Sequence, residues 1–440
     1  MYADRKHYLN EIIPLMMNGR IKIITGIRRC GKSYMLKEIF MKYLKEHGAA
    51  EDHIIYIALD NPQNNDLLNP LELDRYIRNL IKDSDWYFVL LDEIQNVIPI
   101  VNPVLTDGKI VRAGKNEEDV ISYLNIANGL SQISNVDLYI TGSNSKFLST
   151  DIMTQFRDRG DEVHLWPLSF SEYVEALDLK DISAAFNEYR MYGGMPLVLT
   201  HSTPERKEKY LKDLFKMTYF KDIVERNRIR KTEELETLTT IMADQIGNLT
   251  NPTTIANTFR SEMKINITVD TVSSYLNYLS EAFILSKVNR IDLKRRRRIN
   301  GTCKYYFTDP GLRNARTDFL RIDDGFMMKN ILYNELAMRG YSIEVGSMEV
   351  FEKNKENKTV RKTLETDFAL TSGSKYYYIQ SSFRLDASNE AHEREPLIKI
   401  NDSFKKIIVV RDSGPVRRDK NGIAVIGVEQ FLLDPESLDL

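Results

Sequence analysis

The stretch Gly26-Ile27-Arg28-Arg29-Cys30-Gly31-Lys32-Ser33 decides the fold of this chain, because it fits the pattern G-x-x-x-x-G-K-S between a strand and a helix. An apolar run at residues 21–25 precedes it, and residues 32–47 have helical spacing. Glycines let such a loop curl so that its N–H groups face one point, and the helix N-terminus adds positive charge. The sequence therefore predicts a phosphate-binding loop.

The loop predicts a site for ATP and Mg²⁺. Lys32 would reach the outer phosphates, and the Ser33 hydroxyl would be a ligand of Mg²⁺. Arg28 and Arg29 are further cations close to the nucleotide. We expect the nucleotide contacts to come from the loop and the residue after it: Gly26, Ile27, Arg28, Arg29, Cys30, Gly31, Lys32, Ser33 and Tyr34.

A pair of acids follows the third predicted strand. Residues 86–91 are continuously apolar, as in a strand buried on both faces, and Asp92 and Glu93 come next. Asp92 would hold Mg²⁺ through water and Glu93 would be the general base, unless the two acids simply end a strand. After the fourth strand, Ser143 or Asn144 could orient the attacking water, or both could form a turn.

Strands and helices alternate over the first 200 residues, which predicts a parallel α/β sheet. Residues 99–117 interrupt this rhythm with proline, glycine and charges, and we interpret them as a surface insertion. The predicted strands cover residues 21–25, 53–59, 86–91, 136–141 and 163–168.

Composition limits the possible classes of protein. A length of 440 residues suggests two or three domains, and the net charge of −2 excludes a nucleic-acid polycation. The two cysteines are far apart, which favours reduced thiols, and the scattered histidines do not predict zinc. Without a signal-like or membrane-length apolar run, we expect a soluble cytoplasmic protein that has no membrane partner.

Several short blocks along the chain carry a resemblance to a known family. They are Thr25–Ser33, Leu91–Gln95, Thr141–Asn144, Arg157–Gly160, Pro167–Tyr173, Tyr192–Pro196 and Phe307–Leu312. These blocks look like those of the bacterial and archaeal AAA+-type ATP-binding proteins that carry a C-terminal domain of unknown function. The resemblance extends over nearly the whole chain, and the block from Pro167 is more specific than the phosphate loop alone.

The resemblance implies a P-loop NTPase fold with sheet order 5-1-4-3-2, in which the fourth strand lies between the loop and the acids. It also implies that Arg159, with Arg157 beside it, reaches the γ-phosphate as an arginine finger. A finger from a neighbouring subunit would require self-association. The open alternative is a surface arginine in a cluster of arginines and aspartates.

We expect three parts: an ATPase domain at 1–200, a helical linker and winged-helix domain at 201–318, and an α/β restriction-endonuclease-like domain at 319–440. Residues 250–308 follow the outline of a winged helix: helix, helix, strand, basic turn, strand. The turn suits DNA phosphates, but it could also be a solvated hairpin or a docking patch. Its five cations are Lys294, Arg295, Arg296, Arg297 and Arg298.

The last domain resembles a nuclease core with altered residues. Glu335 lies on its first helix and Asp367 on a strand, but Gln380 stands in place of a glutamate and Ser382 in place of a lysine. A neutral amide is a poor ligand for Mg²⁺, and serine cannot replace a cationic amine. We therefore expect a nuclease fold in which catalysis is lost.

The leading hypothesis is an AAA+-type ATPase whose nucleotide state is coupled to DNA-binding C-terminal modules. One alternative is a switch in which ATP controls protein assembly without DNA. Another is a metal-dependent nuclease regulated by ATP.

Overall fold

The computed structural model describes residues 3–114, 117–142, 156, 159–353, 357–412 and 414–439. The chain divides into two compact units, Tyr2–Trp166 and Pro167–Leu440. None of the helices in these described ranges is long and apolar enough to cross a membrane.

The N-terminal unit contains a parallel sheet, and helices connect many of its successive strands. Its strands are β1 Ile21–Gly26, β2 Ile54–Ala58, β3 Tyr87–Asp92, β4 Ile100–Val101, β5 Val120–Ile121, β6 Val136–Thr141 and β7 Gly160–Leu165. Its helices are Lys6–Ile12, Lys32–Tyr34, Met35–Phe40 (π-type), Met41–Glu46, Pro70–Leu80 and Tyr123–Leu130. Short 3₁₀ turns are Ile13–Leu15, Glu51–His53, Pro62–Leu68, Ile94–Asn96 and Pro103–Thr106.

The large sheet has the order β2-β3-β6-β1-β7, and its paired strands are parallel. This confirms the predicted order 5-1-4-3-2 and the P-loop NTPase fold class. β1, β3 and β6 are buried along their whole length because helices cover both faces of such a sheet. The predicted insertion at residues 99–117 contains β4, which pairs with β5 just beyond it, and the exposed side chains of Val104 and Leu105.

The second unit begins with helices and ends with a sheet. Its helices are Phe170–Leu177, Ile182–Tyr192, Pro204–Leu214, Phe215–Phe220 (π-type), Lys221–Asn227, Thr232–Asp244, Pro252–Glu262, Val269–Glu281, Pro310–Arg316, Asp324–Met338, Glu390–Lys399 and Val428–Leu433, with a 3₁₀ turn at Pro196–Thr200. Its strands are β8 Leu285–Asp292, β9 Arg297–Phe307, β10 Ser342–Lys353, β11 Thr359–Ser372, β12 Lys375–Ser382, β13 Lys405–Val410, β14 Arg417–Arg418 and β15 Ala424–Gly427.

The β8–β9 hairpin belongs to the same sheet as the C-terminal strands. The order is β14-β15-β13-β12-β11-β10-β8-β9, and Arg290–Asp292 of β8 pairs in parallel with Val345–Ser347 of β10. The division therefore differs from the three expected parts, since the compact units separate after Trp166. The expected boundary at residue 318 lies within one unit, because strands on both sides of it share backbone hydrogen bonds.

Two of the blocks that carry the family resemblance meet at Asp309. Its buried carboxylate accepts hydrogen bonds from the backbone N–H groups of Gly194 (2.7 Å) and Leu312 (3.0 Å). A Cβ on Gly193 would lie 2.2 Å from Asp309 Oδ1, and one on Gly194 would lie 2.1 Å from the Leu168 carbonyl oxygen. Only glycines therefore fit at these two positions.

A buried ion pair joins β1 to β6. The Lys22 ammonium is fully buried and donates to Asp137 Oδ1 and to the Arg20 carbonyl (2.9 Å). The other carboxylate oxygen of Asp137 accepts from the Tyr139 hydroxyl (2.7 Å) and the Met17 N–H (2.9 Å). Removing one partner of such a pair leaves a buried charge without compensation.

We therefore expect Asp137→Asn to lower the free energy of unfolding of the N-terminal unit by about 3 kcal/mol. Both tryptophans, Trp86 and Trp166, belong to this unit, so denaturation followed by tryptophan fluorescence reports on it alone. Glu46→Gln, at an exposed pair with Lys42, is the control and should change little. Equal effects of the two substitutions would contradict the expectation.

Candidate nucleotide site

The phosphate loop has a backbone that only glycine can adopt at its first position. Gly26 ends β1 with φ +141°, and a Cβ there would lie 2.2 Å from the Leu165 carbonyl oxygen of β7. Gly31 has φ +107° and immediately precedes the helix that starts at Lys32. The loop is thus curled: its two glycines have positive φ angles, and so does Arg29 (φ +67°).

The Lys32 side chain turns back into this curl. It is 3% exposed, and its ammonium donates to the carbonyl oxygens of Gly26 (3.0 Å) and Ile27 (3.2 Å). Ser33 is exposed next to it, whereas the Cys30 thiol is buried. The ammonium therefore occupies the loop, with a hydroxyl following it at the start of the helix.

Asp92 is held at the end of β3 by two hydroxyl groups. It is 2% exposed, and its carboxylate accepts hydrogen bonds from Thr141 (2.5 Å) and from Tyr56 (3.0 Å). Burial and, next, the charge of Asp92 raise the pKa of Tyr56, so its hydroxyl stays protonated as a donor. The two hydroxyl groups thus fix the position of the Asp92 carboxylate at the carboxyl edge of the sheet.

Thr141 connects the two acids. Besides its bond to Asp92, its hydroxyl oxygen accepts the backbone N–H of Glu93 at 2.9 Å. Glu93 is in the left-handed region (φ +55°), and its carboxylate accepts a hydrogen bond from the Gln95 amide. β6 lies between β1 and β3, so Thr141 reaches this edge between the loop and the acids.

Thr141 and Gln95 were missed by the sequence prediction. The available signal was the threonine at the end of the fourth predicted strand, where we instead expected Ser143 or Asn144 to act. Ser143, Asn144 and Arg157 lie outside the described residues.

Arg159 is described, and its backbone lies far from the loop of its own chain. Its carbonyl oxygen accepts the N–H of Ile21 (2.8 Å), at the first residue of β1, whereas the loop follows the last residue, Gly26. Five residue steps of strand separate the two ends by about 17 Å. An arginine side chain cannot span that distance, so Arg159 does not reach the loop of its own chain.

A part-buried cluster on β1 and β7 lies next to the loop. The Thr25 hydroxyl donates to Glu162 Oε1 (2.7 Å) and is 2.9 Å from Nδ1 of His164, which pairs with Thr25 across the strands. Burial and then the charge of Lys32 lower the pKa of His164 to about 4. The imidazole is therefore neutral near pH 7.

In the second unit, Asp367 contacts cations. Its Oδ1 accepts from Lys329 (2.8 Å) and Lys304 (3.4 Å), and its Oδ2 accepts from the Ser381 N–H (3.0 Å). Burial raises the pKa of Asp367, but the two ammonium groups outweigh this effect and lower it overall. Ammonium groups thus stand where a metal ion would need to bind.

Of the other predicted nuclease residues, Gln380 lies close to Asp367, whereas Glu335 and Ser382 have other partners. Gln380 is close to Asp367, whose N–H it accepts at 3.2 Å. Glu335 instead accepts from Arg339 (2.8 Å), because it is six residues from Lys329 on the same helix and so faces another direction. Ser382 donates to the Arg384 carbonyl (2.7 Å). Within the described residues, no group of three or more histidine, cysteine, aspartate or glutamate side chains could hold a metal.

The five cations of the predicted basic run are all exposed, but three of them have contacts within their own sheet. Lys294 donates to the Glu349 carbonyl (2.6 Å), and Arg298 donates to the Glu344 carboxylate (2.8 Å). The Arg296 guanidinium lies 5.5 Å from the Tyr376 ring centroid. The pairing of β8 with β10 brings the turn onto its own sheet. Arg295 and Arg297 are exposed.

The curled glycine loop with its lysine, and a buried acid two strands away in a 5-1-4-3-2 sheet, define a P-loop NTPase domain. The AAA domain family matches residues 18–174, and this part of the chain is an AAA+-type P-loop domain. A domain of unknown function, DUF8612, matches residues 183–323.

Similar proteins are known from a bacterium and an archaeon. An uncharacterized protein of Haemophilus influenzae is 29% identical over 435 residues, covering 98% of each chain. An uncharacterized protein of Methanocaldococcus jannaschii is 26% identical over 434 residues, covering 94% of this chain and 87% of the other.

Among solved structures, the Aeropyrum pernix ORC1 protein in complex with DNA is 12% identical with a TM-score of 0.33, covering 72% of this chain and 93% of its own. The ORC2 protein of the same organism is 12% identical with a TM-score of 0.34, covering 76% and 92%.

We expect the neutral, part-buried His164 to make the N-terminal unit less stable in acid. Between its usual pKa of about 6.5 and its folded pKa of about 4, the unfolded chain binds a proton that the folded unit does not, so stability falls as pH falls. Between pH 7 and 4.5, the free energy of unfolding should fall by about 2–3 kcal/mol less in His164→Phe than in the wild type. Denaturation followed by tryptophan fluorescence would measure both. The same pH dependence in both proteins would refute this role of His164.

Proposed function

We propose that this chain binds and hydrolyses ATP with Mg²⁺, and that its nucleotide state is coupled to DNA binding by its second unit. The observation that supports this most directly is the buried Lys32 ammonium inside the curled loop, with Asp92 and Glu93 joined through Thr141 at the same edge of the sheet. Parallel strands present their carboxyl ends at one edge, where α/β folds bind their ligands.

The loop has the groups that a triphosphate requires. On binding, the Lys32 ammonium would exchange its two carbonyl acceptors for oxygens of the outer phosphates, while the loop N–H groups contact the other oxygens. Ser33 and Asp92 would hold Mg²⁺, which neutralises phosphate charge; hydroxyl, carboxylate and water oxygens are the ligands that this ion prefers.

Hydrolysis requires a base and a fixed geometry around it. Glu93 would accept a proton from the attacking water as the new bond to the γ-phosphorus forms and the bond to the ADP oxygen breaks. Thr141 would position both acids, one by its hydroxyl proton and the other by its oxygen lone pair. Gln95 would orient the Glu93 carboxylate through its amide.

The position of Arg159 supports a role between subunits. It is exposed at the edge of the sheet opposite to its own loop, so it could contact a nucleotide only in a neighbouring copy. A cation from a neighbour would neutralise charge in the transition state and would make hydrolysis depend on self-association.

Coupling to DNA is supported by the second unit. The helices Pro252–Glu262 and Val269–Glu281 and the β8–β9 hairpin follow one another as in a winged helix. A metal-dependent nuclease is less well supported, because Lys304 and Lys329 occupy the Asp367 carboxylate. An assembly switch without DNA would show ATP-dependent oligomers and no affinity for DNA.

The test measures the ATPase rate, with and without duplex DNA, of the wild type, Lys32→Ala and Glu93→Gln. Lys32→Ala should lose nucleotide binding, since the ammonium is removed. Glu93→Gln should bind ATP but turn over about 10²–10⁴-fold more slowly, because the base is lost and the shape is kept. Turnover by Glu93→Gln at the wild-type rate would exclude Glu93 as the base. An ATPase rate indifferent to DNA, with no DNA binding at low salt, would remove DNA from the proposal.

Thr141→Val is expected to reduce turnover by about tenfold or more, equivalent to about 1.4 kcal/mol, while ATP affinity changes less. Valine keeps the β-branched shape but neither donates to Asp92 nor accepts from Glu93. Thr141→Ser keeps the hydroxyl and is the matched control. Steady-state kinetics would separate kcat from KM, and equal loss in both variants would indicate a packing role alone.

A further inference from the structure

A polar groove of about 480 Å³ lies in the second unit between the helix Val269–Glu281 and the β8–β9 hairpin. Hydroxyl and amide side chains from both sides line it, among them Ser273 and Asn277 of the helix and Asn289 and Thr302 of the hairpin. Such groups donate and accept hydrogen bonds with phosphates, sugars and base edges. A pocket of this size holds a ligand of about one nucleotide unit.

The charge of the groove has one sign. Its lining includes the cations Lys287 and Arg298, of which Arg298 pairs with the Glu344 carboxylate (2.8 Å), and none of the lining residues in the described part of the chain is an aspartate or a glutamate. The acids Asp270 and Glu281, on the same helix, lie outside the lining. In a chain with 61 basic and 63 acidic residues, this arrangement favours an anionic ligand locally.

Strand alternation explains which cations face the groove. Lys287 pairs with Tyr305 and Asn289 with Cys303, so these side chains share one face of the hairpin. Arg298 pairs with Ile291 on the same face, whereas Arg297 pairs with Asp292 on the other. The register shifts between Asn289 and Arg290, so that Asn300, Gly301 and Thr302 bulge out of β9 at the groove.

We propose that this groove binds the phosphodiester backbone of a nucleic acid strand, with Lys287 as the main phosphate contact and Ser273, Asn277 and Asn300 as hydrogen-bonding partners. The inference rests on the proposed coupling to DNA and assigns its site. Lys287 is exposed and lines the groove, so a ligand there can reach its ammonium. The groove includes Arg298 of the basic run, and we propose it as the contact surface in place of the turn, where Lys294 and Arg296 contact their own sheet.

The test compares Lys287→Ala with Arg295→Ala, two neutralisations of exposed hairpin cations inside and outside the groove. Affinity for a 20-bp duplex, from fluorescence anisotropy between 50 and 200 mM salt, should fall about three- to tenfold in Lys287→Ala. The slope of log affinity against log salt should decrease by about one, since one phosphate contact is lost. Arg295→Ala should keep the wild-type slope. Unfolding midpoints and the DNA-independent ATPase rate should be unchanged in both.

The outcomes separate the site from the proposed function. If the wild type binds DNA and Lys287→Ala binds it equally well, or if only Arg295→Ala loses affinity, the groove is not the contact site. The proposed coupling to DNA would then still stand. Absence of wild-type DNA binding, with ATP still hydrolysed, would overturn both the groove and the DNA coupling. A final arm uses Lys32→Ala as the background, to remove the nucleotide site. If a nucleoside 5′-monophosphate at micromolar concentration displaced DNA from Lys32→Ala, the groove would bind a small phosphate ligand. That result would overturn the proposal that a nucleic acid strand occupies it.

Discussion

The candidate nucleotide site depends on the two hydrogen bonds of the Thr141 hydroxyl. It donates to the Asp92 carboxylate and accepts from the Glu93 backbone N–H, so one side chain of β6 sets the geometry of both acids. It can do so only because β6 pairs with β1 on one side and β3 on the other. The parallel register thus places the loop, the hydroxyl and the acids at one edge of the sheet.

A second constraint is that no side chain fits at the first residue of the loop. Gly26 passes so close to the Leu165 carbonyl oxygen that no Cβ fits. The same kind of close approach recurs in the second unit, where Gly193 and Gly194 pass the Asp309 carboxylate and the Leu168 carbonyl. In both places backbone contact replaces side-chain packing. The blocks that carry the family resemblance therefore include residues whose role is steric.

In the second unit, the sheet itself provides contacts for several charged side chains. Pairing of β8 with β10 brings the basic turn against the C-terminal strands, so the backbone of Glu349, the carboxylate of Glu344 and the ring of Tyr376 take up three of its five cations. The same unit surrounds Asp367 with Lys304 and Lys329. Clusters of charge that look functional along the chain are here partly structural, whereas the acid-free groove assembles from residues scattered between 252 and 305.

The sequence by itself determined the loop, the paired acids, the parallel α/β pattern and most strand positions, because these depend on local spacing and on continuous apolar runs. The sheet order followed from the resemblance and agrees with the structure. Tertiary structure alone decided that Thr141 joins the acids, that Lys329 rather than Glu335 meets Asp367, and that Arg159 lies away from its own loop. It also decided that residues on both sides of 318 share one sheet. The physical reason is that these arrangements depend on pairing register and helix face, which bring together side chains that no spacing along the chain relates.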